Sequence, residues 1–165
     1  MKVHSLIPKL RNFRTSEEGG TLAELAIIVP LLALMLAAVT EFVRFFQTYA
    51  TLTKATRTAT RDLSNHPFTD FHKDKARSLA VCGKLNCAGG DEIASGLTTD
   101  HICIESTGDP NPVTVKVSIP PTDGGCGLPY TYQPRFNLGA LMNNHTYTIA
   151  FPISPATTMY YMFDN

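Results

Sequence analysis

The sequence predicts an α+β protein: a long N-terminal helix, transmembrane in its first half, carrying a small antiparallel β domain with disulfides. Three observations predict it. An apolar run from Leu25 to Val39 lies between Glu24 and Glu41. An amphipathic pattern with three-and-four spacing continues to Leu63. Beyond His66 the chain turns to β-branched stretches punctuated by proline and glycine, and all four cysteines fall there. A chain of 165 residues fits one modest domain plus an anchor. The expected organisation is a leader at 1–19, a long helix at 20–65 that spans a membrane at about 21–40, and an exported β-rich domain at 66–165.

The leader is polar and basic, with Lys2, Lys9, Arg11 and Arg14 ahead of the apolar segment. By the positive-inside rule the N-terminus then stays in the cytoplasm and the C-terminal bulk is exported. From Thr21 to Thr40 the segment comes to about 20 residues, the number a helix needs to cross a bilayer. Thr21-x-x-Glu24 has the form of a capping box and marks a helix start. Pro30 falls inside the helix, where membrane surroundings tolerate it with a kink. The rival reading is a cleaved secretory signal with small residues near Ala37-Ala38. The long leader, the internal Glu24 and the helical pattern beyond Ala38 argue against it.

Past the membrane, Phe42, Phe45, Tyr49, Leu52, Ala59 and Leu63 form one stripe, with Thr56 as a polar interruption. Phe42, Phe45, Phe46 and Tyr49 read as an aromatic girdle at the outer interface. The threonines between 48 and 60 are weak helix formers, so packing must hold this half. Asn65-His66-Pro67 ends the helix, because proline disfavours helical geometry in the residue before it. A short helix is expected within Asp74 to Leu85. Ile102-Cys103-Ile104 and Val113 to Ile119 then read as two strands of a hairpin or meander. Tyr147 to Phe151 is a third candidate strand and Tyr160 to Phe163 a weaker fourth.

Cys82, Cys87, Cys103 and Cys126 lie on the exported side, an even count that reads as two disulfides with three possible pairings. Cys82–Cys87 with Cys103–Cys126 is the local arrangement, and spacing alone does not choose. A zinc site from Cys82, Cys87, His101 and Cys103 is the alternative, though the spacing is not that of a common zinc motif. Net charge is zero, which gives no reason to expect nucleic acid as a partner. Nucleotide-binding glycine loops, His-Glu-x-x-His and glycine-flanked serine nucleophiles are missing from the sequence. No catalytic residue, metal ligand set or cofactor is therefore expected, and His66, His72, His101 and His145 read as surface or turn histidines. Asp109, Asn111 and Asp123 do not make a calcium loop, and Asn144-His145-Thr146 is a formal glycosylation triplet.

Arg14 followed by Gly19-Gly20-Thr21-Leu22-Ala23-Glu24-Leu25-Ala26-Ile27-Ile28-Val29-Pro30 resembles the start of TadE-like proteins, the pseudopilins of tight-adherence (Flp) pili. The resemblance runs through Glu41-Phe42-Val43-Arg44 and covers about residues 14 to 64. The family pattern carries phenylalanine after the glutamate, where this chain has Leu25. The resemblance implies a structural, non-enzymatic pseudopilin or minor pilin matured by prepilin peptidase at Gly19 or Gly20. Cleavage between the two glycines makes Glu24 the fifth mature residue, and the family then uses Glu24, with Pro30, in subunit assembly. Its implied place is the bacterial inner membrane in contact with membrane lipid, or an extracellular pilus. The implied partners are the major pilin, other minor pilins and the inner-membrane assembly platform. Glu41 matches the family's second acidic position, and an interfacial residue beside Arg44 is its plainer reading. Two alternatives stand: a principal pilin subunit of a related type IV filament, and an uncleaved single-pass anchor presenting a binding domain.

Overall fold

The computed structural model describes residues 17–108, 112–121, 126–135 and 150–163. The chain divides into two compact units, Met1–Phe42 and Val43–Asn165. Helix α1 (Glu17–Ser64, 48 residues) supplies the described part of the first unit and continues into the second. The helix continues through Pro30 as one element, although Pro30 has no N–H to donate. The helix also includes Glu17 to Gly20, so Thr21 and Glu24 lie within it and do not cap its start.

In the second unit, α1 buries Leu52, Ala55, Thr56, Ala59, Thr60, Leu63 and Ser64. Their spacing of three and four places them on one face. This face packs against a three-stranded antiparallel sheet of order β1-β2-β5, made of β1 (Cys103–Thr107), β2 (Thr114–Ser118) and β5 (Ala156–Tyr160). Val115 faces Ser106 and Met159, and Val117 faces Ile104 and Thr157. Those pairs share the inner side of the sheet, since directly opposed residues point to the same face. A two-stranded ladder pairs β3 (Thr131–Tyr132) with β4 (Phe151–Pro152). The core joins Leu52, Ala59 and Leu63 of α1 to Val115, Val117, Ile119, Tyr132 and Ile153. The architecture is α+β, as the sequence predicts.

Helix α2 (Asp70–Cys82) differs from the expected range by starting and ending earlier. Gly83 stops it: its φ of 66° is left-handed, and its N–H donates to the Leu79 carbonyl at 2.9 Å. That geometry suits glycine and closes the last turn. The expected strands at 102–104 and 113–119 appear as β1 and β2. The fourth candidate is displaced, because β5 occupies Ala156–Tyr160, directly after Pro155. Tyr161 only extends the ladder by donating its N–H to the Val113 carbonyl at 2.9 Å. The third candidate lies outside the described residues from Tyr147 to Ile149, and its last residue, Phe151, begins β4.

Candidate functional site

The first unit presents a helix that is apolar on every side. Leu22, Leu25, Ile27, Ile28, Val29, Leu31, Leu32, Leu34, Met35, Leu36 and Val39 are all exposed. The 18-residue window of highest mean hydropathy, 2.6, has none of its residues buried. A soluble surface helix keeps a polar face, and this segment lacks one. By length and composition it is the one helix among the described residues apolar enough to cross a membrane.

Glu24 is the sole charged residue between Gly19 and Glu41. It is exposed and makes no ion pair among the described residues. Gly19 and Gly20 sit in the first described turns of α1, and a Cβ on Gly20 would meet nothing within 4 Å. Steric need therefore does not explain glycine at position 20. Its effect is on the backbone: each glycine in a helix interior weakens it by about 1 kcal/mol relative to alanine, which makes local opening at this pair easier. Pro30 is exposed on the same apolar helix, Glu41 is half-buried, and Arg44 is exposed.

The expected aromatic girdle separates into two groups. Phe42, Phe46 and Tyr49 are exposed, at 69%, 62% and 43%. Phe45 turns into the second unit and meets Tyr132 edge-on at 5.5 Å and Phe151 at 5.7 Å. Thr56 is the other revision. It does not interrupt the buried stripe but belongs to it, at 1% exposure. Its hydroxyl bonds the Thr53 carbonyl at 3.0 Å and lies 3.3 Å from the Thr157 hydroxyl. Thr60 donates to the Thr56 carbonyl at 2.7 Å and reaches the Thr157 carbonyl at 3.4 Å. The hydroxyls of Thr48, Thr51, Thr53 and Thr58 likewise bond carbonyls four residues back. This local bonding satisfies residues that otherwise favour non-helical backbone.

The four cysteines pair as Cys82–Cys87, with Cα atoms 5.6 Å apart, and Cys103–Cys126, at 5.0 Å. This pairing leaves no thiolate for the zinc alternative. Among the described residues no group of three or more His, Cys, Asp or Glu is placed to hold a metal. His101 closes a short 3-10 turn (Thr99–His101), with its Nδ1 3.0 Å from the Thr98 N–H and 2.8 Å from the Thr98 hydroxyl. His66 and His72 depart from the surface reading: both are half-buried, and their rings stack at 4.9 Å. No sequence spacing announces that contact, because it depends on how the turn at Pro67 folds α2 back. A shallow, polar cleft lies between α2 and the 3-10 turn, lined by Asp74, Arg77, Asp100 and Gly127 among others. His145, Asp109, Asn111, Asp123 and Asn144 lie outside the described residues.

An exposed apolar helix that continues into a small disulfide-linked α+β unit fits a single-pass membrane protein. The family model described as TadE-like protein matches residues 19–61. That span takes in the glycine pair, Glu24, the apolar run and most of the stripe that packs on the sheet, and it agrees with the resemblance read from the sequence. The match is confined to α1 and makes this segment similar to TadE-like proteins. No curated protein matches the chain, and no solved structure does.

Proposed function

We propose that the chain is a minor, structural subunit of a tight-adherence pilus, cut by prepilin peptidase between Gly19 and Gly20. The observation that carries this reading is Glu24, the single charge in the apolar helix and four residues after Gly20, inside the segment that matches the TadE-like family. After the cut, the new α-amino group of one subunit is a cation at the membrane edge. Glu24 of a neighbouring subunit neutralises it, an attraction that strengthens where water is scarce. A carboxylate left alone at that depth costs about 2.5–3.5 kcal/mol at a helix centre and less near the interface. Pairing therefore drives subunits together in one register.

The basic leader remains in the cytoplasm under this reading, and the disulfide-linked unit is exported from the inner membrane. The major pilin, other minor pilins and the assembly platform are its partners, and membrane lipid surrounds the apolar segment. The protein is a substrate of processing rather than a catalyst. A helix that already includes Glu17 to Gly20 favours one competing reading, an uncleaved anchor.

The deciding experiment is the N-terminus of the membrane-extracted protein, read by intact mass and peptide sequencing with and without prepilin peptidase. A mature chain starting at Gly20 only in the presence of the peptidase is the expected result. A Met1 start under both conditions establishes the uncleaved anchor instead.

A further inference from the structure

Gly19 and Gly20 belong to α1, which runs from Glu17 to Ser64 as one helix. In helical geometry a carbonyl accepts from the N–H four residues on, so Gly19 is bonded by Ala23 and Gly20 by Glu24. The carbonyl of the bond proposed to be cut is thus engaged along the helix axis. Hydrolysis adds the hydroxyl of water to the Gly19 carbonyl carbon and its hydrogen to the Gly20 nitrogen, while the C–N bond breaks. The carboxyl proton then passes to the amine, leaving a Gly19 carboxylate and a Gly20 α-ammonium group. A peptidase reaches that carbon only after the turn around it has opened.

The pair is suited to opening by composition and by place. A glycine in place of alanine favours the opened turn by about fivefold, the equivalent of about 1 kcal/mol. Glu17 and Glu18 precede the pair, and the apolar run from Leu25 follows it. Backbone groups opened within lipid stay unsatisfied, whereas water takes them up at the polar edge. Packing makes no demand for glycine at position 20, because an added Cβ would meet no described atom within 4 Å.

We infer that Gly20 governs the rate of cleavage through the helix, by populating an opened turn at residues 19–23 that the peptidase then holds extended. Where opening and closing are fast relative to the cut, cleavage tracks the opened population. Gly20 is then a positioning residue that acts through the backbone of the chain being cut. A pocket accepting only a small side chain is the competing account. The inference rests on the prepilin-peptidase reading and names what regulates that cut.

The test uses the full chain, extracted into detergent from cells lacking the peptidase and then mixed with prepilin peptidase. Initial rates are read by intact mass, and Gly19 is left unchanged throughout. Gly20→Ala and Gly20→Asn are compared with the parent and with a double variant, Gly20→Ala with Ala23→Gly. The double variant returns a glycine to the same turn and keeps the composition. Asparagine is larger than alanine but a poorer helix former, so helix opening and side-chain size demand opposite orders. Gly20→Ala is expected to be cut about fivefold more slowly than the parent and Gly20→Asn to fall between them. The double variant is expected within about twofold of the parent, since the glycine count of the turn is restored. Amide-exchange protection at Glu24, measured without peptidase, should rise in Gly20→Ala and fall back in the double variant. The inference is overturned by Gly20→Ala being cut as fast as Gly20→Asn or faster, by a double variant that stays slow, or by unchanged protection. In each of those cases a parent that is cut at Gly20 leaves the pilus-subunit reading standing. A parent that the peptidase never cuts sinks that reading and this inference with it.

Discussion

Glu24 and Tyr130 show how differently two ionisable residues are housed. Glu24 stands on an exposed apolar helix and makes no ion pair among the described residues. Replacing it with Gln keeps the size and removes the charge. Under the proposed function, Glu24→Gln leaves cleavage at Gly20 intact and lowers incorporation into pili at least about tenfold, the equivalent of 1.4 kcal/mol. Immunoblots of sheared pili against whole-cell protein measure it. Tyr130 is buried, and its hydroxyl donates to the Ser95 carbonyl at 3.0 Å. Burial raises its pKa above the ordinary 10.0. Below pH 10 the phenol is neutral in folded and unfolded chains alike and adds no pH dependence. Above that, the unfolded chain loses its proton first, so stability falls as pH rises. Denaturant unfolding from pH 9 to 11.5 should show this fall in the parent and a shallower one in Tyr130→Phe. At pH 7 the same variant loses about 1 kcal/mol with its hydrogen bond. The sequence pointed to Glu24 because an isolated charge in an apolar run is visible by inspection. It did not point to Tyr130 or Thr56, whose partners Ser95 and Thr157 are distant in the chain.

At the scale of elements, α1 combines two surfaces with different demands. Its apolar first part has no polar face, while its last part has one narrow buried stripe against the sheet. Leu63 sits at 0% exposure in that stripe, and Phe46 at 62% lies away from it. Leu63→Ala should therefore destabilise the second unit by about 2–5 kcal/mol, the range for buried leucine truncations. Phe46→Ala should change it by less than about 0.5 kcal/mol, as surface substitutions do. Thermal unfolding of the detergent-extracted chain followed by circular dichroism separates the two outcomes. Equal losses would mean that Phe46 is buried in the folded chain. The stripe was legible from spacing, yet Phe42 and Tyr49 keep that spacing and remain exposed, because periodicity reports a face but not where its partner surface ends. The stop of α2 at Gly83 was missed, since the expected range ran on to Leu85, although a glycine after an apolar turn is the kind of residue that ends a helix. Strand β5 was harder to read, because its threonines and Ala156 give a weak apolar signal and pairing with β2 is what makes them a strand.

Across the whole molecule, two crosslinks close loops of unequal length. Cys103–Cys126 spans 23 positions and Cys82–Cys87 spans 5. On loop-closure entropy alone the longer crosslink stabilises by about 3 kcal/mol and the shorter by about 2 kcal/mol. Replacing both cysteines of one pair with alanine should lower the unfolding midpoint more for the longer loop, as denaturant titration would reveal. The reverse order would place the larger contribution in packing around Val81 and Cys82, which are buried beside the core.

The sequence by itself determined the α+β class, the apolar helix with Glu24 as the sole charge between Gly19 and Glu41, and the presence of strands β1 and β2. Each follows from local composition or from a short repeat, which needs no knowledge of distant residues. Only the tertiary structure decided which cysteines pair, that Thr56 and Thr60 belong to the buried face, that His66 and His72 stack, and that β5 pairs with β2. These depend on contacts between segments far apart in the chain. Many pairings satisfy the local pattern equally well, and packing the helix against the sheet selects one.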